Sequence, residues 1–128
     1  MNGKSLANWT LPVSKGFIFQ PHRDAMIDWT RISDLESDLG ADELSGLISM
    51  FLDEVGTAVA ALRDPTEADM HFLRGSASTL GFAELARLAG QGEDNLKLDR
   101  AAQIDCATIK SVYVSEKEEL LTKFPQVQ

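Results

Sequence analysis

The sequence predicts an all-α protein: an antiparallel four-helix bundle with an additional short N-terminal helix. Three observations support this prediction. Four long segments carry apolar residues at helical spacing, the connections between them are short, and no segment shows the sustained alternation typical of a β-strand. The chain has 128 residues, enough for one domain with a single core but too few for two of ordinary size. We therefore expect one bundle domain over residues 26–128.

Residues 1–25 are predicted to form an irregular arm. They show no sustained helical period, and Pro12, Gly16 and Pro21 interrupt them. Part of the arm is expected to cover apolar surface of the bundle, because it contains Trp9, Phe17, Ile18 and Phe19. A role in binding a partner is the alternative.

The first two predicted helices follow the arm. Asp28 can cap a short accessory helix from about Trp29 to Leu39, which Gly40 ends. The next segment, about 42–63, has the clearest periodicity in the chain. Its apolar stripe is predicted to be core and consists of Leu44, Leu47, Ile48, Phe51, Leu52, Val55, Val59 and Leu62.

The third predicted helix is preceded by a strong start signal, Asp64-Pro65-Thr66-Glu67. Asp64 would be the N-cap, Pro65 the first helical residue and Glu67 the residue that reaches back to the cap. We expect this helix to run to about Leu80.

The last two predicted helices have weaker patterns. One extends from about Ala83 to Leu96 and contains Gly90 and Gly92, which lower its helical propensity. The other covers about residues 100–124, with one face made of Ala102, Cys106, Ile109, Tyr113, Leu120 and Phe124.

Composition narrows the possible functions. A formal net charge of −8 without a basic run argues against binding to nucleic acid. No apolar run approaches the roughly 20 residues of a membrane-spanning helix, and no long apolar stretch suggests a secretory signal. The single cysteine, Cys106, cannot form an internal disulfide and is interpreted as a small buried residue. We therefore expect a cytoplasmic protein that binds neither nucleic acid nor membrane. A monomer is expected because the predicted helices show no spare apolar stripe large enough to require a dimer.

A histidine lies on the polar face of the third predicted helix. At about 100° per residue, the apolar face comprises Met70, Leu73, Ala77 and Leu80. The opposite face carries His71, Arg74, Gly75 and Ser78. A glycine inside an exposed helix costs about 1 kcal/mol relative to alanine, so Gly75 needs a reason beyond stability. We expect it to provide clearance, so that a reactive group of another protein can reach the imidazole of His71.

This stretch resembles the core motif of histidine-containing phosphotransfer (Hpt) domains, His-x-Leu-Lys-Gly-Ser followed by an apolar residue and glycine. The matching residues are His71, Leu73, Gly75, Ser76, Leu80 and Gly81. Arg74 replaces the usual lysine, which keeps the positive charge but presents a planar group. The next helix matches the family's Leu-x-x-Leu-Cys-x-x-Leu-Glu pattern at Leu85, Leu88 and Glu93 and departs from it at Ala89 and Gly92.

The resemblance implies a phosphoryl carrier rather than an enzyme. His71 would take a phosphoryl group from the aspartyl phosphate of one response-regulator receiver domain and pass it to the aspartate of another. A hybrid histidine kinase is a further candidate partner. The sequence has no Walker-type phosphate loop and no kinase signature, so no kinase active site of its own is expected. No cofactor is expected either, because the receiver would supply the Mg²⁺.

The expected chemistry gives several residues a role. An imidazole in water has a pKa of about 6.5, so a solvent-facing histidine is largely neutral at neutral pH and nucleophilic at one nitrogen. Arg74 can donate hydrogen bonds to phosphoryl oxygens, and Ser76 and Ser78 are weaker candidates for that support. An apolar rim for docking a receiver could consist of Phe72, Thr79 and Phe82, although each could equally be ordinary boundary packing.

Two other functions are compatible with the pattern. One is a non-catalytic module of the same shape that docks a receiver or a histidine kinase without being phosphorylated. The other is a metal or cofactor bundle, for which Glu67 and His71 are the only suitably spaced pair and both face outward.

Overall fold

The structure, a computed structural model, describes residues 26–127. This part contains five α-helices, which are α1 Trp29–Leu39, α2 Ala41–Ala60, α3 Glu67–Leu80, α4 Ala83–Lys97 and α5 Cys106–Lys123. Two short 3₁₀ helices follow α4 and α5, at Ala101–Gln103 and Pro125–Val127. The predicted all-α class is confirmed. The predicted arm at 1–25 lies outside the described residues.

The four long helices close into a ring. α2 contacts α3, α3 contacts α4, α4 contacts α5, and α5 contacts α2, while α1 packs against α2 and α3. The most extensive of these contacts joins α3 and α4, which only Gly81 and Phe82 separate in sequence. A helical bundle with one additional short helix is therefore present, and its antiparallel arrangement stays a prediction.

The core follows the predicted stripe of α2. Leu44, Ile48 and Val55 are almost completely buried there, and Leu73 and Leu85 meet the same core from α3 and α4. Since a buried leucine or valine side chain contributes about 1.5–3 kcal/mol, these helices are held together mainly by apolar contact.

The start of α3 differs from the prediction. The N-cap is Thr66, whose hydroxyl accepts a hydrogen bond from the Asp69 amide at 3.1 Å. In return the Asp69 carboxylate accepts one from the Thr66 amide at 2.9 Å, which completes a capping box. The prediction of Asp64 as N-cap and Pro65 as first helical residue is wrong. Both lie in the turn after α2, and Thr66 is still extended, so helical geometry begins two residues later.

The end of α3 is as predicted. Gly81 has a left-handed φ of 80°, and a Cβ there would lie 2.9 Å from the Asp28 carbonyl oxygen. Only glycine fits this turn without strain. The tight turn directs the next residue, Phe82, into the core.

Phe82 is consequently not part of a docking rim, and that prediction is wrong. Its side chain is fully buried, with its ring centroid 4.7 Å from that of Phe51 and 6.2 Å from that of Tyr113. Its backbone also pairs with Ile27. Phe82 lies just past the end of a helix, where the apolar period of that helix no longer predicts which residues are buried.

The last helix begins later than predicted. The chain after α4 turns at Asp99, which has a φ of 56°, and α5 begins only after Asp105, whose carboxylate caps it by accepting from the Thr108 amide. Ala102 therefore lies in the exposed 3₁₀ helix rather than on the core face of α5. Cys106 is the first residue of α5 and is half-buried.

Candidate functional site

His71 lies in the second turn of α3 and projects from the bundle. Its side chain is 69% exposed, as the helical wheel predicts. The preceding residue, Met70, is fully buried against α4, so the backbone at this point is fixed by the core. A rigid helix thus holds an accessible imidazole.

One ring nitrogen of His71 is engaged by a buried carboxylate. Nδ1 lies 3.2 Å from Oε2 of Glu93, a residue of α4 whose side chain is only 7% exposed. An ionised carboxylate only accepts hydrogen bonds, so the Nδ1 atom carries the hydrogen and donates it. In the neutral ring the lone pair is then on Nε2, the other ring nitrogen.

Two cations surround the same carboxylate. Arg74 Nη1 lies 3.2 Å from Glu93 Oε1, and Lys97 Nζ lies 3.6 Å from Oε2. Burial alone would raise the pKa of Glu93. The charge of Arg74, the hydrogen bond from His71 and the charge of Lys97 outweigh burial and lower that pKa. Glu93 is therefore ionised at neutral pH, as its acceptor role requires.

Arg74 approaches Glu93 as an ion pair rather than through a well-directed hydrogen bond, because Glu93 Oε1 is buried without a hydrogen-bond partner of good geometry. The Arg74 side chain is 44% exposed. Its guanidinium thus lies between the buried carboxylate and solvent, with donors available to an incoming anion.

The surface beside His71 is open at Gly75. Within the part of the chain that the structure describes, no atom outside the helix's own backbone lies within 4 Å of where a Gly75 Cβ would be. Thr79, on the next turn, donates its hydroxyl hydrogen bond to the Gly75 carbonyl at 3.0 Å. The geometry expected for clearance is present, and the functional role of that clearance stays a prediction.

The remaining predicted site residues differ in exposure. Phe72 is 42% exposed, and it lines a hollow of about 150 Å³ with the end of α2 and the loop that follows. Thr79 is exposed, and its carbonyl accepts a hydrogen bond from Arg31 of α1. Ser76 is half-buried and Ser78 is exposed. Their support of a phosphoryl group and the docking role of Phe72 and Thr79 stay predictions.

Comparison with known families matches residues 30–123 to the Hpt domain. This match covers all of α2, α3 and α4, and hence every residue around the imidazole. The chain belongs to the Hpt family. Hpt domains are the histidine phosphotransfer modules of two-component signalling and act as phosphoryl carriers rather than as enzymes. Comparisons with curated proteins and with solved structures gave no match.

The sequence reasoning did not assign a role to Glu93. A buried carboxylate has no periodic signature, and in the sequence Glu93 is distinguished only by its match to the family's pattern on the fourth helix. One signal in the sequence is the spacing of Glu93 and Lys97, which lie one helical turn apart and can form an ion pair. The Hpt domain thus contains a charged cluster of four residues, His71, Arg74, Glu93 and Lys97, which we call the His71 cluster.

Two features are absent from residues 26–127. No group of three or more His, Cys, Asp or Glu side chains in this part is arranged to hold a metal ion. Likewise, none of its helices is long and apolar enough to cross a membrane.

Proposed function

We propose that this Hpt domain relays a phosphoryl group between receiver-domain aspartates, with Nε2 of His71 as the acceptor atom. One observation carries the proposal: an exposed imidazole whose Nδ1 is bound by a buried carboxylate, which leaves Nε2 as the nucleophile. The proposed partners are response-regulator receiver domains and a hybrid histidine kinase, in the cytoplasm, with the domain acting as a monomer. Mg²⁺ would come with the receiver.

The proposed step needs no proton transfer at the reacting atom. The Nε2 lone pair attacks phosphorus, an N–P bond forms, and the P–O bond to the receiver aspartate breaks, with its electron pair returning to the carboxylate. The ring becomes a phosphoryl imidazolium that keeps its hydrogen on Nδ1. The same step in reverse delivers the group to a second receiver.

Glu93 and Arg74 have complementary roles in this step. Attack places positive charge on the ring, and the Glu93 carboxylate 3.2 Å from Nδ1 stabilises that charge. The phosphoryl oxygens carry negative charge in a loose transition state, and the half-exposed guanidinium of Arg74 can donate to them. Glu93 is thus a positioning residue, because it acts through the ring.

The test is incubation with a receiver domain that carries ³²P on its aspartate. Transient label on the Hpt domain is expected, stable to base and labile to acid, and His71→Gln should abolish it. His22→Gln is the matched control and should keep the label. Label that survives in His71→Gln would contradict the proposal.

A non-catalytic docking module is the alternative. It predicts that the wild-type domain binds a receiver but acquires no label from any phosphorylated receiver tested. Binding measured by calorimetry beside the labelling experiment separates the two functions.

A further inference from the structure

The contact between α3 and α4 beside the His71 cluster depends on a missing side chain. Gly92 of α4 is buried, and a Cβ there would lie 2.6 Å from Sδ and 3.2 Å from Cγ of Met70. Met70 itself is fully buried. The thioether therefore occupies the space that any larger residue at 92 would need, and α4 approaches α3 closely at this point.

This contact directly adjoins the His71–Glu93 pair in both helices. Met70 precedes His71, and Gly92 precedes Glu93. The backbone hydrogen bonds of an α-helix fix successive residues relative to one another, so a displacement of Met70 or Gly92 also moves the residue that follows it. The Nδ1–Oε2 distance of 3.2 Å is already at the long end of the hydrogen-bond range, so a small separation of the helices would break it.

A second glycine of α4, Gly90, lies against Arg74 of the His71 cluster. A Cβ on Gly90 would lie 3.3 Å from Cδ of Arg74, so the methylene stem of Arg74 passes over Gly90 to reach Glu93. The two glycines of α4 thus leave room for two α3 side chains, those of Met70 and Arg74.

We propose that Met70 and Gly92 are positioning residues, whose close contact sets the α3–α4 separation that holds Glu93 against Nδ1 of His71. This inference rests on the proposed function, because it concerns the same imidazole. It assigns a functional role to a glycine that lies inside the core and touches no reacting atom.

The test uses the ¹⁵N chemical shifts of the His71 ring in the unphosphorylated protein, in a His22→Gln background that leaves a single histidine. At a pH where the ring is neutral, the wild type should show the hydrogen on Nδ1. Gly92→Leu should move the shifts toward the Nε2–H form that free histidine favours, and should slow phosphotransfer about tenfold or more. Met70→Ala/Gly92→Leu, which exchanges the large and the small side chain, should restore both.

Two further variants keep the test decisive. Gly92→Ala adds only a Cβ, and since Met70 can pivot, it should shift the ring signals in the same direction but less. Gly46→Leu is the control, because Gly46 lies in α2 and no described atom outside the nearby backbone of that helix is within 4 Å of its Cβ position. It should change neither the ring shifts nor the rate of phosphotransfer.

Wild-type ring shifts in a folded Gly92→Leu or Gly92→Ala protein would overturn the inference. So would a folded double variant whose shifts resemble those of Gly92→Leu. Neither outcome depends on phosphotransfer. A wild type that shows Nδ1–H but accepts no phosphoryl group would instead refute the proposed function and leave the positioning role supported.

Discussion

At the scale of single residues, the pairing of His71 with Glu93 decides which ring nitrogen is left for the proposed phosphotransfer. We expect Glu93→Ala to reduce single-turnover phosphotransfer by about tenfold or more, because the ring loses the partner that orients it and stabilises its positive charge. Glu93→Gln keeps an acceptor oxygen but no charge, so its rate should lie between those of the alanine variant and the wild type.

Asp94→Ala provides the control for that measurement. Asp94 follows Glu93 on α4, but it is exposed and lies outside the His71 cluster. Its removal should leave the rate unchanged. Equal rates in the wild type and Glu93→Ala would show that the carboxylate has no part in transfer.

Gly75 gives a second prediction at this scale. Gly75→Glu should keep the fold, and even raise helix stability by up to about 1 kcal/mol, because the added side chain enters open space. It should slow transfer by about an order of magnitude or more by obstructing the partner. Gly75→Gln should do the same, which separates obstruction from charge. Gly46→Glu is the matched substitution away from the site, and wild-type transfer in both Gly75 variants would refute the clearance argument.

The exposed residues of the site were predictable from sequence, whereas its buried carboxylate was not. A helical wheel places His71, Arg74 and Gly75 on one polar face because their positions depend only on the period of α3. Glu93 belongs to another helix, and its position against His71 depends on how closely α4 packs. The prediction that Phe82 belongs to a docking rim failed for a related reason, since the turn at Gly81 determines where the Phe82 ring points.

At the scale of helices, the capping box of α3 fixes where the histidine helix begins. Thr66→Ala should lower the free energy of unfolding by about 1 kcal/mol, because the Asp69 amide loses its acceptor. Asp64→Ala should change it by less than about 0.5 kcal/mol, although the sequence motif favours Asp64 as the cap. Urea denaturation followed by circular dichroism measures both, and a larger loss in Asp64→Ala would contradict the structure.

The helices themselves were well predicted, and the errors lie at their ends. Apolar periodicity in α2 spans several turns, so it identifies the helix independently of its boundaries. A boundary depends on one or two local hydrogen bonds, and several residues can compete to make them. Asp64 and Thr66 compete in this way before α3. Asp105 caps α5, which therefore begins at Cys106 and not near Arg100.

At the scale of the whole molecule, one buried carboxylate joins three parts of the chain. Glu116 of α5 is fully buried and accepts hydrogen bonds from the backbone amides of Glu84 and Leu85, in the first turn of α4, and of Met26 before α1. It therefore caps a helix that it does not belong to. Glu116 occupies a core position of α5, about one turn from both Tyr113 and Leu120, which are also buried.

Burial raises the pKa of Glu116 to about 7, against a usual value of 4.5, even though the three amides favour the ionised form. Between these two pH values the folded protein holds a proton that the unfolded chain has released. The contribution of Glu116 to the free energy of unfolding is therefore complete below about pH 4.5 and is lost as pH rises through about 7. The pKa difference corresponds to roughly 3 kcal/mol at most.

We expect Glu116→Gln, which stays neutral, to remove this pH dependence. Glu119, whose pKa burial also raises, contributes in the same sense, whereas Glu93 and Asp105 have lowered pKa values and contribute in the opposite one. The informative quantity is therefore the difference between wild type and variant, measured by urea denaturation from about pH 5 to about pH 8. The wild type should lose stability relative to Glu116→Gln as pH rises. The exposed neighbour Glu118→Gln should track the wild type, and a constant difference between wild type and Glu116→Gln would mean that Glu116 does not titrate in this range.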